Sequence, residues 1–299
     1  MAIVVGEPGV DGLGAVVDAL REWQHEGTPV QLHPGDLGWF WRFGPGATAA
    51  AVRTWSRDGR VVAVGLLDGP GLVRLTTAPD VQRDEELARR LAEDLTGQGC
   101  GVPEAVEAPR NALVRDLLAL EGWTAAEPWT PLRRDLAEPV EDPGVRIEVV
   151  GPERVAERTA VQRASFDGST FTDASWRAMA AGPLYADARC LIALDERGDA
   201  VAAVTVWSAG PGRPGLLEPM GVHRDHRGRG HGRAITVAAA AALRELGSSS
   251  AVVCTPSANA GAVATYRSAG FERLPELRDR GRPPERSAQD RSDRSRTKR

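Results

Sequence analysis

Cysteine is scarce in this 299-residue chain and badly placed for pairing: Cys100, Cys190 and Cys254 are odd in number and far apart. That excludes a disulfide framework and a cysteine-based zinc site, and it fits a reducing, cytoplasmic compartment. No apolar run approaches the roughly 18 residues that a membrane-spanning helix needs. The longest, Ala200 to Val206, has the length of a strand. The opening MAIVVGEPGVDG has no basic region before its apolar patch and no secretory cleavage pattern, so no leader is expected. Almost every basic residue is arginine, which speaks of a GC-rich coding composition rather than of function. Positive charge is in deficit as well. Net charge is −4, and Glu276 to Arg299 hold nine Arg or Lys against five Asp or Glu, which leaves the preceding chain at −8 (−4 less +4). A body that acidic argues against nucleic acid as a partner, because neutralising phosphate supplies most of such affinity.

What is present is ordinary globular material, 42% hydrophobic and 26% charged, long enough for two domains. Gly12 to Gln24 reads as an amphipathic helix, Gly35 to Phe43 and Ala51 to Ser56 as strands, and Ser56 to Leu67 as a strand, an Asp58-Gly59 turn and a buried strand. Leu72 to Thr77 adds a strand, Asp84 to Gly97 a helix opening on acids, Ala105 to Pro109 a strand, Asn111 to Glu121 a helix and Thr130 to Leu136 a strand. AEPVEDPG, Ala137 to Gly144, is the best linker.

After it the order begins again. Val145 to Val150 reads as a strand, Pro152 to Ala164 and Asp173 to Ala181 as helices, and Ala188 to Ser208 as a hairpin turning at Arg197 to Asp199. Then come a strand at Gly215 to His223, a helix at Arg233 to Leu246, a strand at Ala251 to Thr255, a helix at Ala260 to Ser268 and a short strand at Phe271 to Leu274. The halves superpose in detail. Asn259, Tyr266 and Gly270-Phe271 match Asn111, Leu118 and Gly122-Trp123, and the step back of 32 residues that reaches Arg227 from Asn259 reaches Pro79 from Asn111. The first half keeps the scaffold without the glycine loop. The expected division is 1–138 for a degenerate unit, 139–144 for the linker, 145–278 for the equipped unit and 279–299 for a disordered charged tail.

The equipment is Arg227-Gly228-Arg229-Gly230-His231-Gly232, between a strand and a helix. Glycines let backbone N–H groups line up as an anion nest in front of the positive helix end. No Gly-Lys-Ser/Thr closes the loop and the spacing is not the dinucleotide fingerprint. Taken alone it could be an ordinary turn. Arg227-x-x-Gly230-x-Gly232 after a strand, then helix, strand and Asn259 with Tyr266 and Gly270-Phe271, resembles the GNAT superfamily of acyl-CoA-dependent N-acyltransferases. The resemblance covers Val145 to Phe271 in full and the first half in degenerate form. It implies a mixed α/β fold of two tandem GNAT-like domains, each a mixed central sheet flanked by helices.

It also implies acetyl-CoA as co-substrate, no metal, and direct transfer of the acetyl group to a primary amine, expected to belong to a small molecule. Neither nucleic acid nor a membrane is an expected partner, and nothing fixes an oligomeric state. By the resemblance, Met220, Gly221, Val222, the loop Arg227 to Gly232, Asn259 and Ala262 would contact the coenzyme, and Tyr266 would protonate the departing thiolate. Phe166 and Asp167 would lie beside the acceptor, on position alone. The family normally has two strands after the Gly270-Phe271 position, where one is expected here, so Thr130 to Leu136 would lend the missing wall.

Glu218 is the candidate base, placed by strand alternation on one face with Met220 and Val222, and the other reading is a solvated strand end beside Pro219. Tyr266 reads equally as a core aromatic, Cys254 as a small core hydrophobe, and His223, His226 and His231 as solvated loop residues rather than metal ligands. Trp39, Trp41 and Trp55 read as core residues on strands. A non-catalytic acyl-CoA-binding regulatory module and an acetyltransferase of protein N-termini or lysines remain open.

Overall fold

The computed structural model describes residues 2–27, 32–69, 71–97 and 103–283. The first half runs β1 (Val4–Gly6), α1 (Leu13–Trp23), α2 (Pro34–Phe40), α3 (Pro45–Ala51), β2 (Val52–Arg57), β3 (Arg60–Leu67), β4 (Leu72–Thr77), α4 (Glu85–Thr96), β5 (Ala105–Glu107), α5 (Val114–Leu120) and β6 (Thr124–Asp135). The second runs β7 (Arg146–Val149), α6 (Val155–Ser165), α7 (Asp173–Ala180), β8 (Ala188–Leu194), β9 (Ala200–Trp207), β10 (Gly215–Val222), α8 (His231–Glu245), β11 (Ser250–Pro256), α9 (Ala260–Ser268), β12 (Glu272–Arg273) and β13 (Leu277–Gly281). Cys100 and residues 284–299 of the expected tail lie outside the described residues.

Local chemistry accounts for most of these elements. In α4 the Asp84 carboxylate accepts from the Leu87 N–H at 2.8 Å, Glu85 and Glu86 favour the positive helix end, and Leu87, Leu91 and Leu95 return every fourth residue to the core. The two hairpin turns carry glycines with positive φ, Gly59 at 80° and Gly198 at 86°, where a side chain would be strained. After Arg60, β3 is apolar, and β9 is apolar but for Thr205, as expected of strands covered on both faces.

The sheets of the two halves are one sheet, joined by an exchange. The strand order is β1-β2-β3-β4-β5-β13-β6-β11-β10-β9-β8-β7, with β12 also on β6. Strand β6, from the first half, pairs antiparallel with β11 over seven residues, from Ser250 opposite Asp135 to Pro256 opposite Trp129. In return β13 pairs with β5 through Arg280 opposite Val106 and Gly281 opposite Ala105. Each half is thus completed by the last strand of the other. Two sequence expectations are corrected: a second strand does follow Phe271, and Asp279 to Gly281 belong to it rather than to a disordered tail. Their charges concealed the strand, which is held by backbone pairing with β6 at Leu277, Arg278, Arg280 and Gly281 rather than by an apolar pattern.

The largest apolar cluster crosses the junction, with Leu20, Leu37 and Val64 from the first half packed with Trp176, Trp207 and Leu216 from the second. Helix α2 packs tightly on Trp207 at this junction, and here the sequence expectation fails. Gly35 to Phe43 is not a strand but α2 followed by a 3-10 turn over Trp41–Phe43, so Trp39 and Trp41 stand on helical backbone. The alternating tryptophans resemble a strand, but the start is built as a helix cap. Pro34 presets the first turn, the His33 N–H donates to the Asp36 carboxylate at 2.6 Å, and His33 Nδ1 accepts from the Gly35 N–H at 2.9 Å. Burial lowers the His33 pKa to about 4, which keeps the ring neutral so that Nε2–H can donate to the Pro214 carbonyl at 3.1 Å. A second tie joins the halves where Arg21 pairs with Asp187.

Gly35 and Gly38 of α2 face the fully buried Trp207 ring, and a Cβ at Gly38 would come within 2.3 Å of its Cζ3. In an unconstrained helix Gly→Ala gains about 0.5–1 kcal/mol; here overpacking should reverse the sign. Gly38→Ala is expected to destabilise the chain by about 1–3 kcal/mol in denaturant unfolding, and an unchanged or raised midpoint would refute the contact.

Candidate active site

Strand β10 creates the site by leaving the sheet. It pairs in parallel with β11 only at Gly215 opposite Ala251 and Leu216 opposite Val252, after which the strands part. On its other edge it stays paired with β9, with Met220, Gly221 and Val222 opposite Val204, Ala203 and Ala202. The register slips between Leu217 and Met220, so β10 holds one more residue there than its partner. Leu217, Met220 and Val222 therefore all pack toward α8. The expected common face for Glu218, Met220 and Val222 is corrected: the bulge breaks the alternation, and the Glu218 carboxylate looks the other way, toward the first half.

Beyond β10 the chain forms the glycine loop. Gly228 and Gly230 have φ of 75° and 86°, and a Cβ on either would point into open space. Gly230 caps α8 with no side-chain partner, leaving the first-turn N–H groups free to meet an anion. Gly232 instead packs against α9, its missing Cβ only 2.9 Å from Thr265 Cγ2. The arginines hold the loop rather than project from it. Arg227 donates to the Ser165 carbonyl at 2.8 Å and Arg224 to the Ala164 carbonyl at 2.9 Å, capping the C-terminus of α6. Arg229 is exposed. These features fit a pyrophosphate, with cradle and donors supplied by backbone.

Around Glu218 the structure gathers a partly buried charge cluster that the sequence reading did not find. Arg74 of β4 donates to Asp36 at 2.7 Å and to Glu107 of β5 at 2.9 Å, with Asp68 at 3.9 Å. Burial, then the nearby Asp36 charge, pushes the Glu218 pKa up to about 7, with Arg74 opposing. Burial and Glu107 raise Asp279 of β13 to about 6. Burial also raises Asp36 above its ordinary value. Arg42 stacks between Trp39 and Phe43, 4.2 Å from each ring. Trp207 Nε1–H donates to the Glu218 carbonyl at 2.7 Å, fixing the bulged backbone. The available signal was an ionic residue inside an apolar strand, as in LVRLTT and AVE.

Tyr266 is 5% exposed and packs on the α8 side of the sheet, with Phe271 at 6.0 Å between ring centroids. Its hydroxyl has no hydrogen-bond partner among the described residues. Burial raises its pKa above the phenol range, and the charge of Glu218 adds to the shift. Glu218 and Tyr266, directed to opposite faces, therefore sense each other through the gap between β10 and β11. Asn259 caps α9 by accepting from the Ala262 N–H at 3.1 Å, which leaves its amide NH2 group for an outside partner. Cys254, also at the gap, is pushed up to about 12 by burial and stays a neutral thiol.

Phe166 lies over Gly221, where a Cβ would meet its ring at 3.0 Å. Asp167 turns away, 98% exposed and paired with Arg224 at 3.3 Å. The histidines differ from expectation: His223, His226 and His231 are half-buried, with His223 edge-on to His226 at 5.3 Å and His226 tilted against His231 at 6.3 Å between centroids. Among the described residues no three His, Cys, Asp or Glu side chains converge as a metal site, and no helix is long and apolar enough to cross a membrane.

Comparison with known proteins agrees with this geometry. The profile of the Acetyltransferase (GNAT) family matches residues 159–271. Among solved structures, a GNAT-family acetyltransferase from Colwellia psychrerythraea is 15% identical, with 94% of this chain and 99% of that chain covered at a TM-score of 0.60. A tandem GNAT protein from the clavulanic acid biosynthesis pathway is 16% identical, with 95% and 100% covered at 0.57. A GCN5-related N-acetyltransferase from Sphaerobacter thermophilus is 18% identical, with 94% and 95% covered at 0.56. At these identities the likeness is one of fold, and it spans both halves. No curated protein matches the sequence.

The loop can be tested directly. A side chain at Gly230 costs about 1–2 kcal/mol in the left-handed conformation and would stand in the space left for the ligand. Gly230→Ala is expected to weaken acetyl-CoA binding by about tenfold or more, a loss of at least ~1.4 kcal/mol. Calorimetry returning the wild-type affinity would exclude the loop as the coenzyme's anion site.

Proposed function

We propose that this chain, an acyltransferase of the GNAT family through its residues 159–271, transfers the acetyl group of acetyl-CoA directly to the primary amine of a small molecule. The observation that carries the reading is the gap that opens where β10 and β11 part, with Glu218 near enough for its charge to act on the Tyr266 phenol. The opening suits a thioester lying between the strands, with the pantetheine arm bonded to free backbone edges in the manner of an added strand. A β10 N–H near Val222 would polarise the thioester carbonyl.

Glu218 meets the amine from the first-half side. An alkylammonium with a pKa of about 10 gives its proton uphill by roughly 6 units to an ordinary carboxylate. With Glu218 near 7 the gap shrinks to roughly 3 units, so burial makes the base usable at neutral pH. Attack then moves a proton from the amine to Glu218, removes the negative charge there, and withdraws part of what holds the Tyr266 proton tightly. The phenol becomes a better acid as the coenzyme A thiolate leaves. A small acceptor is favoured because the reacting face is enclosed between the halves, with α2 seated on Trp207.

Acetyl transfer should rise with pH through an apparent pKa near 7, since Glu218 acts as its carboxylate and is protonated below that value. Glu218→Gln is expected to remove that limb and lower kcat by about 100-fold or more. The same limb persisting in the variant would exclude Glu218 as the base. Tyr266→Phe should retain coenzyme binding and lose about 100-fold in kcat, measured by thiol release across an amine panel. Binding without turnover on any amine, indifferent to both substitutions, would replace the enzyme reading with a coenzyme-sensing one.

A further inference from the structure

A cavity of about 460 Å³ lies between the halves. Its floor is apolar, with Pro131 of β6, Leu216 of β10, Val252 of β11 and Leu277 of β13. Three of these lead straight to the reacting centre: Glu218, Cys254 and Asp279 each stand two residues further along the same strand. Two residues of strand span about 6.6 Å, so the cavity opens beside the charge cluster. His33 lines it too, and its backbone N–H is bonded to Asp36 of that cluster.

The ionic groups on the lining are unequal. Arg133 pairs with Glu26 at 2.7 Å and with Asp135 at 3.2 Å, so it is already neutralised. Arg110, on the loop after β5, lines the same cavity with no ion pair or hydrogen bond among the described residues. Beyond the lining, Glu218, Asp36, Asp68, Glu107 and Asp279 face Arg74, Arg42 and Arg115, five carboxylates to three guanidinium groups. The cavity is therefore apolar along its floor, bordered beyond its strands by the carboxylates where the amine must react, and lined elsewhere by Arg110 and by the Arg133–Glu26 pair.

We propose that the acceptor is an amino acid of extended form, a primary amine joined through an apolar body of roughly 7–10 Å to an anionic group held by Arg110. This deepens the acetyl-transfer reading and rests on it. Arg110 comes from the first half, which makes that half the part that selects the substrate. The guanidinium fork matches a carboxylate in two-point contact.

The test compares 6-aminohexanoate, 6-aminohexanamide and hexylamine, which share one chain and differ at the far end. In the wild type 6-aminohexanoate is expected to exceed the other two in kcat/KM by about tenfold, the equivalent of ~1.4 kcal/mol. Arg110→Ala should bring the ratio to about one, Arg110→Glu should reverse it, and Arg110→Lys should retain part of it. Hexylamine turned over as well as 6-aminohexanoate, or a ratio unmoved by Arg110→Ala in folded protein, would overturn the proposal. If no amine releases thiol, the acetyl-transfer reading fails separately. Calorimetric binding of hexanoate still decides the anchor: loss with Arg110→Ala supports it, and equal binding by both proteins refutes it.

Discussion

The ladder between β6 and β11 is the constraint on which the site depends. Seven consecutive residue pairs fix the last strand of the first half inside the sheet of the second, and β13 returns the arrangement onto β5. Backbone pairing of this kind leaves little freedom, because a slip by one residue would turn every side chain to the other face. It sets Glu107 of β5 close to Asp279 of β13, and Arg74 acts on Asp279 and on Glu218 alike. A charge cluster drawn from five separate segments could not be assembled by two domains joined only through a linker.

That cluster is unfavourable in itself. Burying carboxylates with too few partners raises their proton affinity, as Glu218 near 7 and Asp279 near 6 both display. Its cost is carried by the surrounding core, where α2 lies against Trp207 and a neutral His33 joins the halves. A structure that maintains such crowding beside an opening in the sheet is prepared for a cation, and an incoming ammonium group supplies the missing charge. The site is thus strained electrostatically, and on the proposed mechanism that strain is relieved by substrate and then by proton transfer.

Much of this was legible in the sequence, for physical reasons that differ by element. The glycine loop could be read because φ values of 75° and 86° at Gly228 and Gly230 demand that residue type. The repeat could be read because Asn259 caps α9 and Gly270 has φ of 82°, requirements that preserve spacing. Helix α2 could not be read, since its tryptophans alternate as a strand would and its glycines serve a contact with Trp207, more than 160 residues away. The strand beside β11 was anticipated, since Thr130 to Leu136 was expected to lend the missing wall, but the bulge at Glu218 has no local signature. Asp36, Arg74 and Glu107 were missed for the same reason: each is an ordinary charged residue until the exchange places it.

The loss of the glycine loop in the first half takes on a definite sense in this light. Strands β4 and β5 still pair at Leu72, Val73 and Arg74 and then part, as β10 and β11 do after two residues. The wedge that would receive a coenzyme survives without the cradle that would hold it. In the second half Ala258 and Asn259 lie at the end of the wedge where the pantetheine arm is expected, and the corresponding pair in the first half is Arg110 and Asn111. Arg110 borders the cavity between the halves, and Arg74, at the mouth of the old wedge, braces the cluster around Glu218. On the proposed reading, one duplicated scaffold presents its coenzyme-binding end to two different ligands: in the second half to the acetyl donor, and in the first, by way of the exchanged strands, to the acceptor.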